Sequence, residues 1–340
     1  MSAVSATSPS AARVRAVVVT WRGAATIAAC LDSLLAQQVT GMEVLVVDNA
    51  SDDGTADLLA TRFPQIRTLR TPRNLGFAGG AAAGTAGFTG DAIVLLNDDA
   101  TFEDGAVAAL LAALDAPGAE RVGAVTARLL LTGRYRRDAS GTWVRTDDDD
   151  PDGIELINST GNVVDDRGAG GDRDWMAPVG QESDDAVVFG FCGGAAALRR
   201  TALEEVGGFD ADLFLYYEDT DLSWRLRSRG WRTRYVAGAV ARHQHAASSG
   251  VRSPVFRYHN TRNSLTVVTR HAPARLALTS WTRQTAGSVR ALVHDGPSDP
   301  VMRARLRGLR DASVRLPRTL VERHRIWHDA RGPRSPSVRF

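Results

Sequence analysis

The sequence predicts an α/β protein built on a mainly parallel central sheet, and three features carry that prediction. Short β-branched or aliphatic runs alternate with helical segments from Val14 to Phe88. The run Ala92-Ile93-Val94-Leu95-Leu96 is apolar throughout, as a strand covered on both faces must be. Successive strands also end in polar, acid-rich loops, and right-handed crossovers between parallel strands gather such loops in one crevice outside the carboxyl ends.

Val14 to Thr20 is the first strand, and Ala24 to Gln37 follows with Ile27, Leu31, Leu34 and Leu35 at helical spacing. Glu43 to Val47 is the second strand, ending in Asp48-Asn49-Ala50-Ser51-Asp52-Asp53-Gly54, after which Thr55 to Arg62 suits a helix. Ile66 to Leu69 is a short third strand, and Arg73-Asn74-Leu75-Gly76-Phe77-Ala78-Gly79-Gly80 opens a small-residue helix through Phe88. The fourth strand, Ala92 to Leu96, delivers Asn97-Asp98-Asp99 to its tip. Paired oxygens there suit a hard cation such as Mg²⁺ or Mn²⁺, which usually arrives with phosphates. Asn and Asp at a strand end also make turns and cap helices, so that segment alone leaves both roles open.

A helix at about Gly105 to Leu114 and a strand at Val122 to Leu131 continue the pattern. Residues Arg134 to Asp185 are acidic, Gly-rich and poorly periodic, and read as hairpins and loops, a candidate mobile flap. Order returns at Val187 to Gly194, followed by a helix at Arg200 to Val206. Phe214 to Tyr217 then leads into Glu218-Asp219-Thr220-Asp221, the first turn of a helix running through Arg229. Strands are expected at Trp231 to Val236 and at Val240 to His245, and from Pro254 the chain is helical and basic.

A chain of 340 residues can bury a full core, and its 44% hydrophobic and 24% charged content is that of an ordinary globular protein. A formal net charge of +2, with no nucleic-acid motif, gives no case for a nucleic-acid partner. Two cysteines, Cys30 and Cys192, fit packing roles in a reducing compartment, not a disulfide scaffold. The Ser- and Ala-rich start reads as a disordered leader, and no apolar run has the length to cross a bilayer.

If strands one, two and four lie side by side, Asp48, Asn74 and Asn97-Asp98-Asp99 line one site. A nucleoside diphosphate needs an acceptor for its base, partners for its ribose and a cation for its pyrophosphate. Asp48, the backbone near Thr20 and Asp99 can supply these respectively. The turn from Gly76 to Gly80 lets backbone approach a ligand, although tight helix-to-sheet packing explains such glycines equally well. Carboxylates at Glu218, Asp219 and Asp221 suit the first turn of a helix, and Asp221 with Arg225 makes an i, i+4 pair. A carboxylate so placed stays ionised, as a general base must. His243 and His245 alternate on a strand, face one side, and can serve a cation or a phosphate.

Taken in order, Val17-Val18-Val19-Thr20, Val47-Asp48-Asn49-Ala50-Ser51-Asp52-Asp53-Gly54, Asn74-Leu75-Gly76-Phe77-Ala78-Gly79-Gly80, Leu96-Asn97-Asp98-Asp99, Gly207-Gly208-Phe209-Asp210, Glu218-Asp219-Thr220-Asp221-Leu222-Ser223-Trp224-Arg225, and His243 with Ser248 resemble the family 2 inverting glycosyltransferases of the GT-A fold, in particular their rhamnosyltransferase-like branch. The resemblance covers about Val14 to Asn263. It implies that Asp48 contacts the nucleobase and that Asn97 and Asp98 face the ribose or donor sugar, with Thr20, Asn49, Asn74, Gly76 and Gly79 completing the nucleotide-sugar site. It implies that Asp99 holds Mn²⁺ or Mg²⁺ with His243, or less well His245, as second ligand. Asp219 becomes the catalytic base, with Glu218 close to the acceptor and Gly193, Gly194, Asp221, Arg225 and His245 around it. Two positions depart from the pattern: Trp21-Arg22 replaces an aromatic residue followed by Asn, and Asn97 replaces the first Asp of the commoner acidic triplet.

On this reading residues 1–13 are the leader. Residues 14–250 form the catalytic domain, divided into a nucleotide-sugar-binding half (14–131), an insertion (132–186) and an acceptor and catalytic half (187–250), and 251–340 form a basic helical region. The implied activity is metal-dependent, inverting transfer of a sugar, rhamnose by preference, to a glycan or polyprenyl-linked acceptor in cell-wall or polysaccharide synthesis. The donor is dTDP-rhamnose or a UDP-sugar. The implied location is the cytoplasm. The basic C-terminal helices, with Leu276, Leu278, Trp281 and Val289 among many Arg, suit peripheral contact with the inner face of the membrane or packing on the catalytic domain or a second subunit, as in a homodimer. The rivals are a non-catalytic sugar-nucleotide-binding module, which would not need Glu218-Asp219, and a nucleotide-dependent oxidoreductase, which calls for G-x-G-x-x-G where Thr20-Trp21-Arg22-Gly23 stands. A glycosidase would need neither Asp48 nor a metal-holding Asp99.

Overall fold

A computed structural model describes residues 13–244 and 253–337. His245, Ser248 and the expected domain boundary near Gly250 lie outside the described residues, as does nearly all of the expected leader.

The first half alternates as its sequence predicts: β1 (Val14–Thr20), α1 (Ile27–Leu35), β2 (Met42–Asp48), α2 (Thr55–Arg62), β3 (Arg67–Arg70), α3 (Gly76–Thr85) and β4 (Ala92–Leu96). Strands β3, β2, β1 and β4 are neighbours in that order and all parallel, so the polar ends of β1, β2 and β4 do converge. Alternation along each strand feeds two cores. Val14, Ala16 and Val18 of β1 pack with Ile27, Leu31 and Leu34 of α1 on one face, whereas Val17 and Val19 pack with Ala81 of α3 on the other.

Beyond β4 come β5 (Ala100–Phe102), α4 (Ala106–Asp115) and β6 (Val122–Leu131). The expected hairpins of the insertion are β7 (Arg134–Arg137) with β8 (Trp143–Thr146), and β10 (Asn162–Val164) with β11 (Gly170–Asp172). Between them β9 (Ile157–Ser159) pairs with β6 and ties the insertion into the main sheet. The insertion is therefore built into the framework of the crevice by strand pairing, where the sequence suggested a flap.

The rest of the sheet is β12 (Val187–Val188), β13 (Ala195–Arg199) and β14 (Arg232–His243), with α5 (Arg200–Glu205) and α6 (Glu218–Ser228) between the last two. Two details differ from the sequence reading. β13, not singled out by its pattern, lies antiparallel between β4 and β6, so the sheet is mixed while remaining parallel elsewhere at its centre. The two strands expected between Trp231 and His245 are the single strand β14, interrupted only by a shift of register between Val236 and Val240.

Helices α7 (Pro254–His271), α8 (Ala274–Asp295) and α9 (Pro300–His328) complete the chain. They are joined to α6 through a shared cluster of Trp224, Val267, Val268, Ala272 and Trp327. Asp221, fully buried, accepts from Arg225 Nε at 2.8 Å, Arg270 Nη1 at 2.6 Å and His271 Nε2 at 2.8 Å. Arg270 also reaches Asp210 and Glu322 of α9, at 2.9 and 2.7 Å. Those cations hold the Asp221 carboxyl far below the usual range despite its burial, so Asp221 and Arg225 form the ionic root of α6.

Candidate active site

Topology explains how residues far apart in sequence meet. Because β13 is antiparallel to β4, Ala195 stands opposite Leu96, and the preceding Gly193-Gly194 loop reaches the carboxyl end of β4, where Gly194 O accepts from Asn97 N at 3.0 Å. The last residue of β14, His243, stands opposite Ala100 of β5 and is thereby brought to Asp99.

His243 Nε2 is 2.9 Å from Asp99 Oδ1 and 3.4 Å from Asn97 Nδ2, while its Nδ1 is 2.7 Å from Asn158 Oδ1. With the Asn158 oxygen as acceptor, Nδ1 carries a proton, and Nε2 faces the Asp99 carboxylate, donating to it when protonated and able to ligate a cation when not. Two donor atoms about 3 Å apart are spaced as adjacent ligands around a cation bound at about 2.1 Å, and an imidazole with a carboxylate suits Mn²⁺ or Mg²⁺. Among the described residues no group of three or more His, Cys, Asp and Glu side chains is placed to hold a metal.

On the nucleotide side, Asp98 accepts from Thr20 Oγ1 at 2.5 Å; burial, opposed by that bond, pushes its carboxyl up to about 6. Asp48 is buried, with Ser51 N donating to Oδ1 at 2.9 Å and Arg70 paired to Oδ2. Asn49 ties β2 to the start of α3: its Nδ2 donates to Gly76 O at 2.9 Å and its Oδ1 accepts from Thr71 Oγ1. Asn74 Oδ1 accepts from Gly76 N at 2.8 Å. Gly76 has φ of +69°, and a Cβ there would lie 2.1 Å from the carbonyl oxygen of Phe214; one on Gly79 would lie 2.6 Å from Leu75 Cβ. These glycines thus serve close packing of the turn, and Gly76 brings it against the loop that precedes α6.

That loop carries the second acidic cluster. Phe214, Tyr216 and Tyr217 all have left-handed backbone, with φ of 64°, 68° and 73°. Asn263 of α7, fully buried, holds them there: its Nδ2 faces the carbonyls of Leu213, Leu215 and Tyr216 at 2.8, 2.9 and 2.8 Å. Asp219 then stands on the first turn of α6, its Oδ2 accepting from Gly193 N at 3.2 Å and its Oδ1 from Thr220 N at 2.6 Å and Thr220 Oγ1 at 3.2 Å. Burial raises the Asp219 carboxyl, and burial together with the Asp219 charge pushes Glu218 up to about 8. Glu218 Oε2 is buried with no hydrogen-bond partner. Burial thus raises both adjacent acids, Glu218 further by the neighbouring carboxylate, while three donors oppose the rise at Asp219.

Sequence reasoning missed the contribution of the insertion. Asn158 orients His243, Asn162 Oδ1 accepts from Thr220 Oγ1 at 3.1 Å, and Asp172 enters the crevice beside Ser159 and Cys192. No local pattern marks these residues, because the segment is aperiodic and the side-chain partners named lie 58 residues away for Asn162 and 85 for Asn158.

Comparison with known proteins bears on this geometry. A family model described as glycosyltransferase like family 2 matches residues 11–260. The chain belongs to glycosyltransferase family 2. It is similar to the N-acetylglucosaminyl-diphospho-decaprenol L-rhamnosyltransferase of Mycobacterium tuberculosis, 31% identical over 267 residues that span 74% of this chain and 82% of that protein. Among solved structures it is similar to a mannosyltransferase from Pyrobaculum calidifontis in complex with GDP-Man and Mn²⁺, with a TM-score of 0.51 and 18% identity over 91% of this chain and 88% of that one. It is also similar to residues 1–349 of TarS from S. aureus, with a TM-score of 0.50 and 14% identity over 93% and 86% of the two chains. This family 2 glycosyltransferase has the GT-A fold and resembles the Mycobacterium tuberculosis rhamnosyltransferase.

Proposed function

We propose that this enzyme transfers a sugar, rhamnose by preference, from a nucleoside diphosphate to a hydroxyl of a lipid-linked glycan acceptor, with inversion at the anomeric carbon. The observation that carries the reading is the placement of Asp219: a carboxyl whose basicity burial raises, held by Gly193 and Thr220, in the crevice that the Asp99–His243 pair also enters.

Asp219 takes the proton of the acceptor hydroxyl as that oxygen attacks C1 from the face opposite the diphosphate. Glu218, protonated, adds no competing charge beside it. Thr20 holds Asp98 for the donor, Asp48 and Arg70 line the end of β2 for the base, and Asn97 stands between Gly194 and His243. Asp99 and His243 would hold Mn²⁺ or Mg²⁺, which offsets charge on a departing diphosphate as a Lewis acid. The residues present fit that role, and the Mn²⁺ in the Pyrobaculum calidifontis mannosyltransferase complex supports it.

Rhamnose and a polyprenyl-diphosphate acceptor are supported by the activity of the Mycobacterium tuberculosis relative; dTDP-rhamnose is the first donor to try, ahead of UDP-sugars. No described helix is long and apolar enough to cross a membrane. Helix α8 exposes Leu278, Val289 and Val293 next to Arg283 and Arg290, a face suited to an anionic membrane surface where such an acceptor lies. Sedimentation with anionic liposomes tests that contact, and sedimentation equilibrium tests the homodimer that would cover the same face.

A thermal-shift panel of nucleotide sugars with Mn²⁺, followed by NMR of the product of the best donor, tests the proposal. Stabilisation by one nucleotide sugar and a product of inverted anomeric configuration are expected. A retained configuration, or no response to any nucleotide, overturns it.

A further inference from the structure

The β10–β11 hairpin packs on the first turn of α6. In this antiparallel pair Asn162 stands opposite Asp172. Asn162 is fixed to the catalytic side by Thr220 and by paired backbone bonds with Gly190, at 2.8 and 3.3 Å. Across the hairpin, Gly170 N donates to Tyr217 OH at 3.2 Å, and a Cβ on Gly170 would lie 2.9 Å from the Tyr217 ring and 3.1 Å from Thr220 Oγ1. The inner face of β11 thus lies on the first turn of α6.

Side chains two apart on a strand share a face. Asp172 therefore points the same way as Gly170, while Arg173 turns aside to Thr160 and Asp174. The Asp172 carboxyl lies near Ser159, which follows the His243-orienting Asn158, and near Cys192, which precedes the Asp219-holding Gly193. Asp219 and His243 both lie within electrostatic reach of it. Asp172 thus stands in reach of both the base and the metal pair.

In an inverting displacement the attacking oxygen, C1 and the leaving oxygen lie in line. Asp219 marks the attacking oxygen and Asp99–His243 the leaving diphosphate, so the interval between them is where the transferred sugar sits. We propose that Asp172 accepts a hydrogen bond from a hydroxyl of the transferred sugar, making the β10–β11 hairpin a sugar-reading element of the donor site. This rests on the function proposed above. A carboxylate in a crevice sheltered from water suits a polyol, and a site that expects a hydroxyl discriminates strongly against a sugar lacking it.

Calorimetric titration separates the possibilities, using Mn²⁺ with the nucleoside diphosphate and its sugar conjugate that respond best in the panel, dTDP and dTDP-rhamnose first. In Asp172→Ala the Kd of the diphosphate should stay within about twofold of wild type, which also reports a folded site, while the Kd of the sugar conjugate rises roughly tenfold. Among monodeoxy donors, one should bind wild type weakly yet bind Asp172→Ala no worse than the parent sugar does. Equal weakening of both ligands, or an unchanged sugar conjugate, overturns the proposal and leaves the enzyme's function standing. Failure of the wild-type protein to bind any nucleotide overturns the function and this proposal with it.

Discussion

Asn158 Oδ1 lies 2.7 Å from His243 Nδ1, and the other nitrogen of that ring lies 2.9 Å from Asp99. A residue of the aperiodic insertion thus sets the tautomer of a side chain on the last position of β14. Outer-shell partners of this kind usually tune metal affinity by 10- to 100-fold. Asn158→Ala should weaken Mn²⁺ binding in the presence of nucleoside diphosphate by roughly tenfold or more by calorimetry, with His243→Ala weaker still. Undiminished affinity in Asn158→Ala would remove it from the site.

Glu218 gives a pH signature. Its carboxyl is raised from the ordinary range to about 8 by burial and by Asp219, so the folded protein holds a proton that the unfolded chain releases near pH 4.5. Stability from this group is complete below pH 4.5 and declines as pH rises towards 8. Asp98 and Asp172, both raised to about 6, act in the same direction. Glu218→Gln cannot ionise, so its Tm should gain on that of wild type as pH rises from 5 to 8 without metal. A constant difference in Tm across that range would contradict the assignment.

Asn263 should matter to both stability and turnover. Removing its amide takes a donor from the carbonyls of Leu213, Leu215 and Tyr216 and releases a left-handed segment that delivers Asp219. Asn263→Ala is expected to lose about 1–3 kcal/mol in urea unfolding and to lower kcat by a larger factor than it raises the KM of the donor. Loss confined to donor KM would argue against the clamp.

Asp221, although in the same acidic cluster, should behave differently from Asp219. Asp221→Ala leaves Arg225 without its carboxylate and Arg270 with only Asp210 and Glu322, and breaking one partner of such a buried network costs about 3–5 kcal/mol. Denaturant unfolding should show that loss, with nucleotide affinity per folded molecule preserved.

These contrasts mark what could be read from sequence. The convergence of Asp48 and Asn97-Asp98-Asp99 was legible because β-α alternation dictates parallel neighbours, and the site of Glu218-Asp219 was legible because acids favour a helix start. The same local logic could not separate Asp219, which faces the crevice, from Asp221, whose partners Arg270 and His271 lie about 50 residues on. β13 went unmarked because Ala195 to Arg199 is short, and it is defined by pairing with β4 and β6, not by periodicity. Asn158, Asn162, Asp172 and Asn263 act only through tertiary contacts, so nothing in their own neighbourhoods announces them.

The central claim is that Asp219 removes the acceptor proton. The rate of sugar transfer by Asp219→Asn at saturating donor, with Mn²⁺ and a lipid-linked N-acetylglucosamine acceptor, tests it most directly. The account predicts a fall of roughly 100-fold or more while donor affinity stays near that of wild type. Transfer at close to the wild-type rate would contradict it.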